Sequence, residues 1–494
     1  MKRLLFIFIT LVILVGNLFA DGYFDEKNYY NSNEYQKYKE RSARKANPHK
    51  SLTGYTGAFY CEKCHPGAIK EVMNSVHYKW SGKVPPNYLK DENGKFVTGG
   101  KEVGKKFKLG SCPGAYPLAN YLGMLPDKNG KKIGLGCGKC HIGGGFPPVD
   151  YKKATIEVKN AVECLICHAE EYDMSKRKVI KVGENNGKPI LRLTQDMSDK
   201  ALQSVGRPTV EACMRCHYTA GGGPFFKRGV DYASDTDVHA AKGLLCVDCH
   251  TPRPRKGHGM LRGPGLELWN YDAYSKEEGC VRCHVGKIHK DERYDKSCNE
   301  KIACVTCHIK TTGGLVFKDF SEMHQSKKSG FWLFKAVVKD EHSVPVEYMW
   351  WDKTAKEPFV PEGSPKDKNS KLYVFKKYEQ IVPVDKNGNR LPYKLGIVTK
   401  DGPGEDKNNN GIGDNLEKAA LVGVKLGKFL NGKPENPNIM KSPLAGFKKV
   451  TEYFMVSHGV LPKDEALTCK DCHGEKPVIN WEKLGLKNPK IINE

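Results

Sequence analysis

GCGKCHIGGGFPP, residues 136–148, holds the pattern on which the fold turns. Cys137 and Cys140 are separated by two residues, and His141 follows directly. Two thiols at that spacing can add to the two vinyl groups of a haem, and the adjoining imidazole can bind one face of its iron. The pattern recurs. CEKCH carries Cys61, Cys64 and His65; CLICH carries Cys164, Cys167 and His168; CMRCH carries Cys213, Cys216 and His217. CVDCH carries Cys246, Cys249 and His250; CVRCH carries Cys280, Cys283 and His284. CVTCH carries Cys304, Cys307 and His308; CKDCH carries Cys469, Cys472 and His473. These eight motifs use sixteen of the eighteen cysteines.

Zinc sites would need the pairs in twos and would leave the fixed histidine unexplained. A disulfide framework has no use for that histidine at all. Eight covalently bound haem c groups are therefore the expected cofactors, and Cys112 and Cys298 stand outside the pattern.

The first twenty residues, MKRLLFIFITLVILVGNLFA, read as a secretory signal cut after Ala20. The expected location is periplasmic or otherwise exported, with no stable membrane span after cleavage. The formal net charge is +23. Haem propionates neutralise much of it, and the remainder favours a small anionic or nitrogenous substrate rather than nucleic acid. A quinol-linked or other cytochrome donor is the expected electron source.

With roughly 60 residues for each haem, the chain cannot wrap every cofactor in its own core. The expected fold is mainly α with extensive irregular loops, the haems forming much of the core of a multihaem cytochrome c. Small β-hairpins are expected in the C-terminal third. The expected divisions are a signal at 1–20, an arm at 21–48, a haem-rich core with seven motifs at 49–330, and a C-terminal region with the eighth at 331–494. KLYVFKKYEQIVPV and RLPYKLGIVT, flanking an Asn-Gly turn, read as a hairpin, and the KKFKLG and NGKK stretches as smaller ones. LEKAALVGVKLGKFL and LAGFKKVTEYFMVSHG have helical spacing. DKNNNGIGDNLE sets Asp406, Asn408, Asn410, Ile412, Asp414 and Glu417 at the ligand positions of a calcium loop, with Gly411 at the sharp turn. Ca2+ is thus a second candidate cofactor.

Eight histidines lie outside the motifs, enough to give every iron a second imidazole. That count alone describes an electron conduit. None lies between His141 and His168, however, and Lys152 and Lys153 follow the second motif closely. A neutral lysine amine can bind iron once desolvation lowers its pKa.

The order of motifs resembles the octahaem tetrathionate reductase family of c-type cytochromes. The similar stretches are HKSLTGYTGAFYCEKCH, VMNSVHYKW, GCGKCHIGGGF with VECLICH, CMRCHYTAGGGPFFKRGVDYASDTDVH, GLLCVDCHTPRPRKGHG, IACVTCHI and SHGVLPKDEALTCKDCH. The resemblance implies a catalytic haem on Cys137, Cys140 and His141, with Cys112 beside the substrate and a lysine as axial ligand. It implies distal ligands at His49, His77, His239, His258, His289 and His458, the other haems forming an electron-transfer chain. Two positions depart from the family. Phe146-Pro147-Pro148 stands where its lysine falls, leaving Lys152 or Lys153 for that role. Cys298 stands where it has a histidine before the seventh motif, which leaves a thiolate, His324, His342 or an open iron there. The expected function is reduction of tetrathionate, nitrite or hydroxylamine at one accessible haem. A non-catalytic electron carrier and a hydroxylamine-oxidising enzyme are the alternatives.

Overall fold

The computed structural model describes residues 49–83, 140–218, 229–250, 300–325, 332–388 and 444–487, apart from 80, 141, 147 and 357–359. It also describes short islands at 89–90, 102–104, 125–126, 132–133, 258, 280, 283–284, 288–291 and 294. The signal and arm, Cys112, Cys137, His141, Cys298 and the calcium loop lie outside the described residues, as do RLPYKLGIVT and LEKAALVGVKLGKFL.

Most of the described haem motifs sit on a single helical turn. They include α1 (Ala58–Glu62), whose end carries Cys61, and, after α2 (Ala68–Asn74) and α3 (Val76–Lys79), α4 (Leu165–His168) and α5 (Val210–His217). Then, following α6 (Val238–Ala241), come α7 (Cys246–Cys249), α8 (Cys304–His308) and α9 (Cys469–His473). The histidine N–H bonds the carbonyl of the first cysteine at 2.9 Å in the first motif, 3.2 Å in the third, 2.8 Å in the fifth and 2.9 Å in the sixth. Residues i, i+3 and i+4 of a helix share a face, so this turn presents both thiols and the imidazole to one side. Such short helices need capping. Thr209 accepts from Ala212 N–H ahead of α5, and Thr468 and Asp471 cap α9 reciprocally.

The expectation of a mainly α protein is corrected by a five-stranded sheet. The longest described helix is α5, with eight residues, whereas strands run to 15. A hairpin of β1 (Val179–Asn185) and β2 (Lys188–Leu193) turns at Asn186-Gly187, both with positive φ. Leu125 and Pro126 likewise pair antiparallel with Ile133 and Lys132. The large sheet contains β3 (Thr311–Gln325), β4 (Trp332–Pro345), β5 (Glu347–Trp351), β6 (Lys371–Val384) and β7 (Gly446–Met455). β6 pairs with β7 along one edge, and with β5 and then β3 along the other; β4 pairs with β3. β3 and β4 run on either side of residue 330, so one antiparallel pair spans that position.

β7 corrects a second expectation, because it comes from the stretch with helical spacing. Val450, Thr451, Tyr453 and Phe454 are β-branched or aromatic, and a ten-residue register with β6 outweighs the 3.6-residue pattern. Trp351, Tyr373, Phe375, Tyr378 and Phe454 pack into the sheet core with Val305 of the seventh motif and Ile309 just after it. Trp351 meets Tyr373 and Phe375 edge to face at 5.0 and 5.9 Å. The sheet is thus a platform under the last motifs, while a separate core of Tyr55, Ile69, Met73, Tyr78, Leu165 and Ile166 lies under the first and third.

Phe375→Ala empties a fully buried site in this platform. It is expected to lower the unfolding free energy by about 3–5 kcal/mol in guanidinium titrations. Ile156→Ser, at a 77% exposed position, is expected to change it little.

Candidate functional site: paired histidines and the second motif

An imidazole nitrogen sits about 2.0–2.1 Å from a first-row metal it binds, with the ring centre about 1 Å further out. Two imidazoles on opposite sides of one iron should therefore have centroids about 6 Å apart. Six histidine pairs meet that requirement. His49 lies 6.3 Å from His65, His77 6.1 Å from His217, and His258 5.7 Å from His168. His458 lies 6.1 Å from His250, His239 6.1 Å from His284, and His289 6.4 Å from His308. Each pair joins one motif histidine to one from outside the motifs. The seventh motif thus meets His289, and neither Cys298, His324 nor His342 is needed there. The ring spacing and the one-sided motif turns fit haem.

The second nitrogen of several rings is held in place, which fixes the tautomer and leaves the other for metal. His168 Nδ1 lies 2.8 Å from the Gly206 carbonyl, and the His308 ring donates to the Leu461 carbonyl. His239 Nδ1 lies 3.2 Å from Asp237 Oδ1, and His258 Nδ1 3.2 Å from Glu71 Oε2. Asp237 also accepts from Gly459 and Val460 N–H at 3.0 Å, beside His458, so one carboxylate organises two of the histidines that face motif histidines. Burial, with the nearby His217 charge, pushes His77 down to about 4. Its ring is neutral at neutral pH, with a lone pair to give.

The motifs follow one another in space. The sulfurs of Cys61 and Cys164 lie side by side, as do those of Cys213 and Cys246 and those of Cys280 and Cys304. Cys167 lies near Cys213, and Cys249 near Cys280. Leu467 N–H bonds the Cys307 carbonyl at 2.9 Å, and Tyr348 lies near both Cys307 and Cys472. The spatial order is first, third, fourth, fifth, sixth, seventh, eighth. The second motif branches from the fourth, where the sulfur of Cys140 lies beside that of Cys216.

The stretch after Cys140 is held rigidly. Residues 142–146 are buried, and Gly144 has φ +58. A Cβ there would come within 2.8 Å of Ala161 Cβ, so only glycine fits. Glu163 Oε2 accepts from Gly144 N–H at 3.3 Å and, with Oε1, grips Arg177 at 2.9 and 2.6 Å. Both side chains of this pair are fully buried. Burial opposes the Arg177 charge, but Glu163 outweighs it and holds the guanidinium above its ordinary pKa. Arg177 lies close enough to Cys167 and Cys216 to act on both, and Glu163 acts on Cys167 as well, so a fixed buried ion pair sits among the second, third and fourth motifs. Arg215, inside the fourth motif, donates to the Ile166 and Glu170 carbonyls at 2.6 and 2.8 Å, bracing the third.

Lys152 and Lys153 are exposed on a 3-10 turn capped by Asp150. His342 is exposed with φ +60, its Nδ1 2.9 Å from Thr311 Oγ1. The backbone at His324 lies in β3 near its far end. Sequence reasoning missed Glu71, Glu163, Arg177 and Asp237. Only Asp237 carried a local signal, a carboxylate two residues before a ligand histidine.

A solved octahaem cytochrome c from Shewanella oneidensis is similar to this chain with a TM-score of 0.60 and 21% identity, over 90% of this chain and 98% of its own. This chain has the fold of an octahaem c-type cytochrome. A family model described as bacterial cytochrome c matches residues 317–476 of it. An uncharacterized protein of Archaeoglobus fulgidus is 27% identical over 280 residues, 51% of this cytochrome and 89% of that protein. The cytochrome carries covalently bound haem c. Among the described residues, no helix is long and apolar enough to cross a membrane.

Glu163→Gln strands a buried guanidinium and is expected to lower stability by about 3–5 kcal/mol in denaturant titration. Lys200→Ala, which breaks the exposed pair with Glu171, is expected to leave stability unchanged. Glu71→Gln and Asp237→Asn each weaken electron donation from a distal imidazole. Spectroelectrochemistry is expected to show the potential of one haem rising in each variant.

Proposed function

We propose that this octahaem cytochrome is an exported reductase of a small oxo-anion or nitrogenous compound, with tetrathionate, nitrite or hydroxylamine as the substrate class and the second motif as the reducing site. The observation that carries this reading is the branch at Cys140 and Cys216. Six motifs have their histidines paired along a continuous path, and the second stands off that path beside the fourth. We assign the axial ligands of the six paired sites to His49, His77, His239, His258, His289 and His458.

When bound, the haems supply one-electron transfer along the path and a metal at which a substrate can be reduced. The protein side chains do the rest. The paired imidazoles occupy both faces of six sites and keep substrate away from them. Glu163 fixes the loop after Cys140 and holds Arg177 beside the fourth motif. The lysine excess draws anions towards the surface. Cys112 is the candidate thiol for exchange with a sulfur–sulfur bond, and Lys152 or Lys153 the candidate amine ligand. A quinol-linked or other cytochrome donor feeds the path from outside.

Purified protein supplied with reduced viologen is expected to turn over at least one of tetrathionate, nitrite and hydroxylamine. Cys112→Ala is expected to reduce tetrathionate turnover at least tenfold, about 1.4 kcal/mol in barrier, while leaving the haem spectrum intact. Either Lys152→Ala or Lys153→Ala is expected to alter the spin state of one haem. Full reduction of the haems without turnover of any substrate would establish the electron-carrier function instead.

A further inference from the structure

The six paired sites fall into two classes by the angle between their rings. The planes cross at 89° for His77 and His217, 76° for His458 and His250, 74° for His258 and His168, and 71° for His239 and His284. They are 34° apart for His49 and His65 and only 19° apart for His289 and His308. The nearly parallel pair belongs to the seventh motif, and His289 has an aromatic neighbour there. The Tyr294 ring lies against it, with centroids 5.4 Å apart and planes tilted by 39°. Tyr232 stands more loosely beside His458, at 6.1 Å and 55°, and that site is a crossed one.

We propose that Tyr294 is a positioning residue for electron transfer between the seventh and eighth haems: its ring holds His289 nearly parallel to His308, and its hydroxyl is anchored to Cys469 of the eighth motif.

The anchor consists of two contacts. Tyr294 Oη lies 3.6 Å from Cys469 Sγ and accepts a hydrogen bond from the Cys469 N–H. As a free thiol, Cys469 donates to the hydroxyl. As a thioether, the same sulfur has no hydrogen and only accepts, so the hydroxyl becomes the donor while its oxygen keeps the N–H. The Tyr294 N–H donates to the Asp291 carbonyl at 3.2 Å, a turn that lets residues 289 and 294 meet. A phenol held at its hydroxyl by one motif and at its ring by the partner of another cannot swing without breaking one of the two contacts. Tyr348, on β5, lies near Cys307 and Cys472 at the same junction, so two aromatic side chains bridge the seventh and eighth motifs.

The angle between two axial imidazoles sets the splitting of the iron d orbitals. Parallel rings separate the two π-type orbitals and give a rhombic low-spin ferric spectrum. Crossed rings leave them close in energy and give one strongly anisotropic feature. The ring of Tyr294 therefore acts on the seventh haem through His289. Its hydroxyl acts on the eighth, because a hydrogen bond to the sulfur draws electron density from the porphyrin edge and favours the reduced state. One side chain thus tunes both ends of a single transfer step and fills the route between them with packed atoms. The inference rests on the assignment of His289 to the seventh haem, and not on substrate reduction at the second motif.

Low-temperature electron paramagnetic resonance of the oxidised holoprotein, with spectroelectrochemistry, tests it. Tyr294→Leu keeps apolar volume but loses the flat ring, and is expected to shift or remove one rhombic low-spin signal. Tyr294→Phe keeps the ring and loses the hydroxyl. It is expected to retain that signal and to lower the midpoint potential of one haem. His289→Ala is expected to abolish the same rhombic signal. If His289→Ala abolishes it and Tyr294→Leu leaves it unchanged, Tyr294 does not set the ring plane and the proposal is overturned. Unchanged potentials in Tyr294→Phe would overturn the hydroxyl's part in it. Rhombic signals indifferent to His289→Ala would overturn the ligand assignment and the proposal with it, leaving the second-motif reading to its own assays. Because the Leu and Ala variants can fail to mature, the wild-type spectrum is a test by itself: the absence of any rhombic low-spin signal would overturn the proposal.

Discussion

The structure depends on one constraint: two imidazoles that would share an iron must hold their rings about 6 Å apart, each with a nitrogen turned towards the other. A motif supplies one ring at a fixed place on a helical turn. The other has to be brought from elsewhere in the chain. His77 is carried to the fourth motif, His258 to the third and His458 to the fifth, each across a large separation in sequence. Each such site is a cross-link between distant segments, which accounts for a chain with short helices and long connections having a defined shape. Ordinary cores then need only hold the segments in register. The sheet core under the seventh motif and the smaller core under the first and third do this.

The polar interior follows from the same crowding. Motifs packed thiol against thiol leave little room for protein between them, and what fills that room must fix the geometry. Glu163 and Arg177 form a buried ion pair that would contribute little as a stability device alone, because desolvation offsets most of the attraction. Its worth lies in where it sits. The carboxylate ties down the loop after Cys140, and the guanidinium lies beside Cys167 and Cys216. Arg215 braces the third motif from within the fourth, and Asp237 holds His239 while bonding the backbone next to His458. Each polar residue spans two haem sites, so the sites cannot shift independently.

The haem sites were legible in the sequence to an unusual degree, because CxxCH is a chemical requirement rather than a propensity. The distal histidines needed a family resemblance, since ligand pairing over such separations leaves no local pattern. The sheet was largely illegible. β6 announced itself by its run of β-branched and aromatic residues. Its expected partner arm lies outside the described residues, and the partners found are β3, β5 and β7. β7 read as a helix because apolar residues four apart satisfy either period when a neighbouring strand is not known. Glu163 and Arg177 look like two of many charged residues until the fold removes both from water.

Electron flow through such a path is governed by what stands behind each ring as much as by the rings themselves. Carboxylates stand behind His239 and His258, carbonyls behind His168 and His308, and no described acceptor behind His473. A stronger acceptor makes the imidazole a better donor and stabilises ferric iron. Taken alone, this second layer ranks the third and sixth haems low in potential and the eighth high. Under the proposed function, a difference of this kind along the path biases electrons entering near the third motif towards the fourth motif, from which the second branches. That asymmetry is written into the partners of the imidazole rings rather than into the motifs.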